Sequence, residues 1–162
     1  MQIELEQHID AVFRFALSLS RDRHLAEDLT QECFLKAQLR VSQLQKKSDA
    51  KGWLFQILVN LWKDHLKKKL RAKPWSGDLN PISKELPADR VQVQQEDLNR
   101  IILLMQTLPE QQRTVLFLKC VEGFSNSEIA RLIGKTENAV KANLSIARKT
   151  MREKVAGCKT NE

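Results

Sequence analysis

The chain has 162 residues, 42% hydrophobic and 29% charged, enough for one ordinary globular domain or two small ones and too apolar for a disordered segment. A net charge of +7 suits a polyanionic partner such as nucleic acid. No apolar run approaches the roughly 20 residues that a membrane span needs, and the acidic opening MQIELEQHID lacks the basic-then-apolar order of a secretion signal.

Five Gly, four Pro and no Tyr leave few turn signals, so an all-α fold of long helices is expected. Ile9, Val12, Phe13, Ala16 and Leu17 recur at three and four, the spacing of one helix face. Ser20 to His24 is polar and interrupts that helix. A second helix is expected from about Leu25 to Arg40, with Ala26, Leu29, Cys33 and Ala37 inward. Val41 to Lys51 reads as a polar loop. A third helix begins near Trp53, turns Leu54, Ile57, Leu58, Leu61 and Leu66 inward, and ends in a basic run before Pro74. Residues 1–73 therefore form a first domain.

Residues 74–95 hold Pro74, Gly77, Pro81 and Pro87 with little periodicity and read as a linker. A second domain, residues 96–158, opens with Leu98, Ile101, Ile102 and Met105 on one helix. Pro109 suits the first turn of the next helix, which breaks at Glu122-Gly123-Phe124. Ser125 and Glu128 have the spacing of a capping box, and Ile129, Ala130 and Leu132 follow. Gly134-Lys135-Thr136 then turns the chain into a long basic helix with Val140, Leu144, Ala147 and Met151 inward. That order is a helix-turn-helix, whose last helix enters the DNA major groove.

Charge and aromatic residues are unevenly placed. From Lys63 to Lys73 six positive side chains face a single acid, Asp64; from Arg131 to Lys154 seven face Glu137 and Glu153. Each domain thus ends in a basic helix, and two tethered DNA contacts reinforce one another. Trp53, Phe55 and Trp62 share the first basic helix; most are expected in the core, and at most one stacks on a DNA base. On the second helix Glu27, Asp28, Gln31 and Glu32 form a polar, acidic face that suits either solvent or a basic partner protein.

The segments AEDLTQECFLKA (26–37), WLFQILVNLWKDHLKK (53–68) and the stretch from Leu108 to Arg148 together resemble the bacterial RNA polymerase sigma factors of the extracytoplasmic-function group. The resemblance implies two helical domains, one for the promoter −10 element and one for the −35 element. It implies that Asp28, Gln31 and Glu32 dock on the β′ clamp helices of core RNA polymerase. It assigns capture of a flipped −10 base to the loop 41–51, with Gln43, Gln45, Lys46, Lys47 and Ser48 as candidates. Asn60, Lys63 and Lys67 on the following helix are further −10 contacts, and Asp64 is either another or a partner of Lys67 or Lys68. Lys67 stands where Arg is common, keeping the charge without the bidentate fork. Lys135, Asn138, Lys141, Asn143 and Arg148 are the implied −35 contacts.

The chain departs from the family pattern at three places. A helix usually found before Ile9 is not expected in this chain, and the linker reads as short. The recognition helix reads Ala139 to Arg148 with Asn143 and Ile146 at positions usually basic, so a different or weaker −35 preference is expected. Losing one groove Arg costs about 1–3 kcal/mol of base discrimination.

Core polymerase and promoter DNA are the implied partners, with an anti-sigma protein clamped over both domains as a further one. No obligate homo-oligomer and no membrane insertion is expected. Cys33, Cys120 and Cys158 are too scattered for a disulfide framework or a metal site. Cys33 and Cys120 are expected in the core and Cys158 as a tail thiol, in a reducing cytoplasm, with no cofactor and no metal. Two alternatives stay open: a helix-turn-helix regulator that never joins polymerase, and a degenerate sigma-like protein that binds without initiating. An enzyme is not expected, since no phosphate loop or nucleophile motif is present.

Overall fold

The computed structural model describes residues 5–44, 46, 49–72 and 96–159. Helices account for nearly all of them: α1 (Ile9–Ser20), α2 (Arg23–Arg40), α3 (Ala50–Ala72), α4 (Glu96–Met105), α5 (Glu110–Leu116), α6 (Asn126–Ile133) and α7 (Glu137–Lys159). Short 3-10 turns precede α1 at Leu5–His8 and follow α2 at Val41–Gln43. A π-helical turn, Phe117–Val121, continues α5. The chain divides into two compact units, one within residues 1–84 and the other within 85–162. The expected linker, residues 74–95, lies outside the described residues.

In the first unit, α1, α2 and α3 enclose one core. Phe15 of α1 and Phe55 of α3 are both fully buried and stack with ring centroids 4.8 Å apart. Val12, Ala16, Leu19, Leu29, Cys33, Leu54 and Leu58 complete the packing. The buried face of α1 is rotated from the expected one: Phe15 and Leu19 point inward, Phe13 and Leu17 are half-buried, and Ile9 is exposed. Apolar residues surround α1 on nearly every side, so periodicity alone could not fix its orientation.

Two boundaries also move. α2 begins at Arg23 rather than Leu25, because the Asp22 carboxylate accepts from the backbone N–H of His24 at 2.9 Å and of Leu25 at 3.3 Å. α3 begins at Ala50, with Ala50 itself buried, and runs through Gly52 without a break.

In the second unit, α4, α5, α6 and α7 pack around Met105, Leu108, Val115, Leu118, Ile129, Val140 and Leu144. Pro109 is the N-cap of α5 rather than its first helical residue. Arg113 is 2% exposed, and its Nη1 donates to the Leu108 carbonyl at 2.9 Å, holding the turn before α5. The π turn ends where the Phe124 N–H bonds the Leu118 carbonyl at 3.0 Å, with Gly123 at φ +75°. Glycine takes that conformation without strain.

Candidate functional site

The helix-turn-helix is built by local bonds. The Ser125 hydroxyl accepts from the Glu128 N–H at 3.2 Å, and the Glu128 carboxylate accepts from the Ser125 N–H at 3.0 Å, closing the expected capping box. α6 stops at Gly134, φ +68°, where the N–H groups of Gly134 and Lys135 both reach the Ala130 carbonyl. Thr136 then caps α7, its hydroxyl accepting from the Ala139 N–H at 3.1 Å. Each device satisfies helix-end groups that have no partner inside the helix.

α7 buries Val140, Leu144, Ala147 and Met151. At about 100° per residue, the opposite face carries Asn138, Lys141, Ala142, Ser145, Ile146 and Lys149, all exposed. Lys135 is exposed in the turn. Arg148 is exposed on one flank of that face. Asn143 does not join them: it is half-buried and about 160° around the helix from Lys141, beside the core stripe. The pattern at 139–148 gave no sign of this, because motif position does not state which face a residue occupies. Ser145 and Ala142 hold the outward face and were missed for being small and uncharged.

In the first unit, the acidic face of α2 resolves into two parts. Glu27 is engaged by the Arg23 Nε at 3.2 Å. Asp28 and Gln31 are exposed, and Glu32 meets Lys36 only at 4.0 Å. Leu35 and Leu39, 62% and 84% exposed, continue the line from Asp28 and Glu32 along the same face. Asp28, Glu32, Leu35 and Leu39 thus form an acidic strip with an apolar end. The two leucines were missed because an isolated apolar residue reads as core until its neighbours are placed.

α3 shows a second surface, opposite Leu54, Leu58 and Leu61. Gln56, Asn60, Lys63 and Lys67 lie along one line of the helix. Gln56 Nε2 donates to Asn60 Oδ1 at 3.3 Å, while Lys63 and Lys67 project into solvent. Among the described residues no ion pair joins Asp64 to Lys67 or Lys68.

In the preceding loop Gln43 and Lys46 are exposed; Gln45, Lys47 and Ser48 lie outside the described residues. Phe55 is core, and Trp62, 9% exposed, stacks on His65 at 5.6 Å. Trp53 alone of the three aromatics is half-exposed.

Of the thiols, Cys33 is buried, its Sγ donating to the Leu54 carbonyl at 3.4 Å, and burial pushes it up to about 12. Cys120 is exposed, not core: the π turn puts Leu118 inward and leaves Cys120 at the surface. Among the described residues, no cluster of His, Cys, Asp and Glu could hold a metal ion, and no helix is long and apolar enough to cross a membrane.

Residues 5–72 match the family model for sigma-70 region 2, and residues 98–151 match that for sigma-70 region 4. The chain is 30% identical to the sigma factor EcfG of Rhodopseudomonas palustris, over 83% of this chain and 73% of that protein. It is 33% identical to the probable sigma factor RfaY of Xanthomonas campestris, over 90% of this chain; it spans only 38% of RfaY. Among solved structures, the sigma factor RpoE of Bartonella quintana, in complex with the anti-sigma factor NepR, superposes with a TM-score of 0.78. Its identity is 30%, covering 93% of this chain and 92% of that one.

Proposed function

The chain belongs to the extracytoplasmic-function group of the sigma-70 family, and on that footing we propose that it binds core RNA polymerase and directs promoter-specific initiation. The observation that carries this is one chain holding both an open acidic strip on a region 2 fold and a capped helix-turn-helix on a region 4 fold. A DNA-binding regulator needs the second and has no use for the first.

The α2 strip is the polymerase surface. Its carboxylates are held by no strong internal pair, so they are available to Lys or Arg on a docked helix, and Leu35 and Leu39 supply apolar contact beside them. The line Asn60, Lys63 and Lys67 with Lys46 is the −10 surface. Its lysines hold phosphates, and the half-exposed Trp53 offers a ring to an unstacked base.

The outward face of α7 is the −35 reader, with Asn138 and Lys141 as its polar contacts and Ala142 and Ile146 placed to meet thymine methyls. Asn143 is no part of it.

Opening the duplex needs no catalytic residue: flipped bases need only be held more tightly than stacked ones. The chain is therefore an initiation factor rather than an enzyme, and it works in the cytoplasm. The Bartonella relative was solved with an anti-sigma protein, which supports a partner of that kind here. Co-elution of the full chain with core polymerase tests the reading, with a gel shift of promoter fragments by the mixture. Stoichiometric binding is expected, with a promoter shift by the mixture that is tighter and more sequence-selective than the shift by the chain alone. A chain that shifts DNA alone and never binds core is a regulator, and the reading falls.

A further inference from the structure

In the second unit a cavity of about 580 Å³ opens between α4, α5 with its π turn, and the C-terminal half of α7. Ile101, Met105, Leu116, Met151 and Val155 make its apolar wall, and the exposed Arg148 and Arg152 stand at its edge. We propose that this cavity binds a free medium-chain carboxylate, the acyl tail against the apolar wall and the head on Arg148 and Arg152. Such a site goes beyond promoter reading and needs neither DNA nor polymerase to be occupied.

The apolar part of the lining selects the tail. Met105, Leu116 and Met151 are buried and form the floor, while Ile101, 42% exposed, and the exposed Cys120 stand at the mouth. Methionine side chains are flexible and polarizable, and they repack around an incoming group. Two of them in the floor suit a flexible chain better than one rigid ring system. The volume lies within the roughly 300–1,000 Å³ of small-molecule sites. A bound chain would also take the open surface of Ile101 and Val155 out of water.

The polar part selects the head. Apart from the Cys120 thiol, the lining has hydrogen-bonding side chains only at Arg148 and Arg152, with no carboxylate, hydroxyl or amide. A cation is therefore repelled, and a sugar or nucleotide would leave its hydroxyls unpaired. The two arginines sit four residues apart on α7, one turn, where like charges repel. Among the described residues neither is in an ion pair. A carboxylate between them relieves the repulsion and accepts paired N–H groups from a guanidinium fork. Arg148, Met151, Arg152 and Val155 follow at three and four, so the charged edge runs directly beside the apolar wall. An apolar chain with one anionic end meets both halves of this lining.

The test titrates laurate, below its micelle-forming concentration, into the full chain in a calorimeter. A single saturable site per chain is expected. In a Cys158→Ser background laurate should also slow the modification of Cys120 by a thiol reagent, because Cys120 lines the cavity. Dodecyltrimethylammonium, with the same chain length and a cationic head, should do neither. Arg148→Ala with Arg152→Ala removes two exposed charge contacts and should weaken laurate binding about threefold to tenfold. Ala156→Trp sets an indole across the mouth from an exposed position and should abolish it.

Arg148→Lys with Arg152→Lys keeps both charges and should restore most of the affinity, and melting near wild type in every variant excludes unfolding as the cause. Laurate that does not bind, or binds the double alanine variant as tightly as wild type, would overturn the inference. So would equal binding of the cationic amphiphile, since that marks apolar adsorption alone. Core polymerase that shields Cys120 where laurate does not would make the cavity a protein-docking face and overturn it as well. A chain that takes up laurate yet binds neither duplex DNA nor core polymerase would refute the sigma reading instead and leave this site standing.

Discussion

Reversing charge on the α2 strip, Asp28→Arg with Glu32→Arg, separates partner binding from folding. Neither carboxylate holds its unit together: Asp28 is exposed, and Glu32, its side chain 56% exposed, reaches Lys36 only at 4.0 Å. Losing that pair costs about 0.3–0.5 kcal/mol, and placing arginines one turn apart beside Lys36 costs a similar amount, so the fold loses under ~1 kcal/mol. Breaking a desolvated charge pair across an interface costs about 2–5 kcal/mol, roughly 30-fold to several-thousand-fold in Kd. Anisotropy titration against core polymerase measures the second quantity and thermal melting the first. The double variant should lose core binding by at least the lower figure, melt within about 8 °C of wild type, and bind duplex DNA as before. A folded variant that binds core within threefold of wild type would refute the assignment. Loss of DNA binding in parallel would refute the claim that the strip is free of structural duty.

Three further outcomes follow from the same geometry. Lys141→Ala should reduce the salt slope of DNA binding by about 0.9, so that raising salt from about 50 to 200 mM weakens it roughly threefold less than wild type; an unchanged slope would exclude a phosphate contact there. Ser125→Ala removes half of the capping box and should cost about 1 kcal/mol, read as a fall of about 4–8 °C in the melting of the second unit. In a Cys158→Ser background at pH 8, a thiol reagent should modify Cys120 in the native chain and Cys33 only after unfolding, because burial pushes the Cys33 thiol up to about 12; equal rates would contradict its burial. The folded state keeps the Cys33 proton that the unfolded state gives up, so the first unit loses stability as pH rises from about 9 towards 12.

What the sequence disclosed depended on whether one local rule governed the position. The capping box at Ser125, the turn at Gly134 and the cap at Thr136 each follow from a few neighbouring residues, and all three appear as read. The buried stripe of α7 was equally plain, since Val140, Leu144, Ala147 and Met151 repeat among polar residues. α1 was harder: with apolar residues on most of its circumference, only packing against α2 and α3 chooses Phe15 over Phe13.

The site residues divide in the same way. Asp28, Gln31 and Glu32 share a surface by spacing alone, but the apolar end of the strip at Leu35 and Leu39 needed the fold. Asn143 read as a groove contact because the motif position is often basic, yet helix geometry turns it beside the core.

The most direct test of the sigma assignment is run-off transcription reconstituted from core polymerase, this chain and a promoter library. Transcripts that appear only when the chain is added, start at defined positions, and vanish with the Asp28→Arg, Glu32→Arg variant are predicted. A chain that binds core polymerase or DNA yet supports no transcript from any member of the library would contradict it.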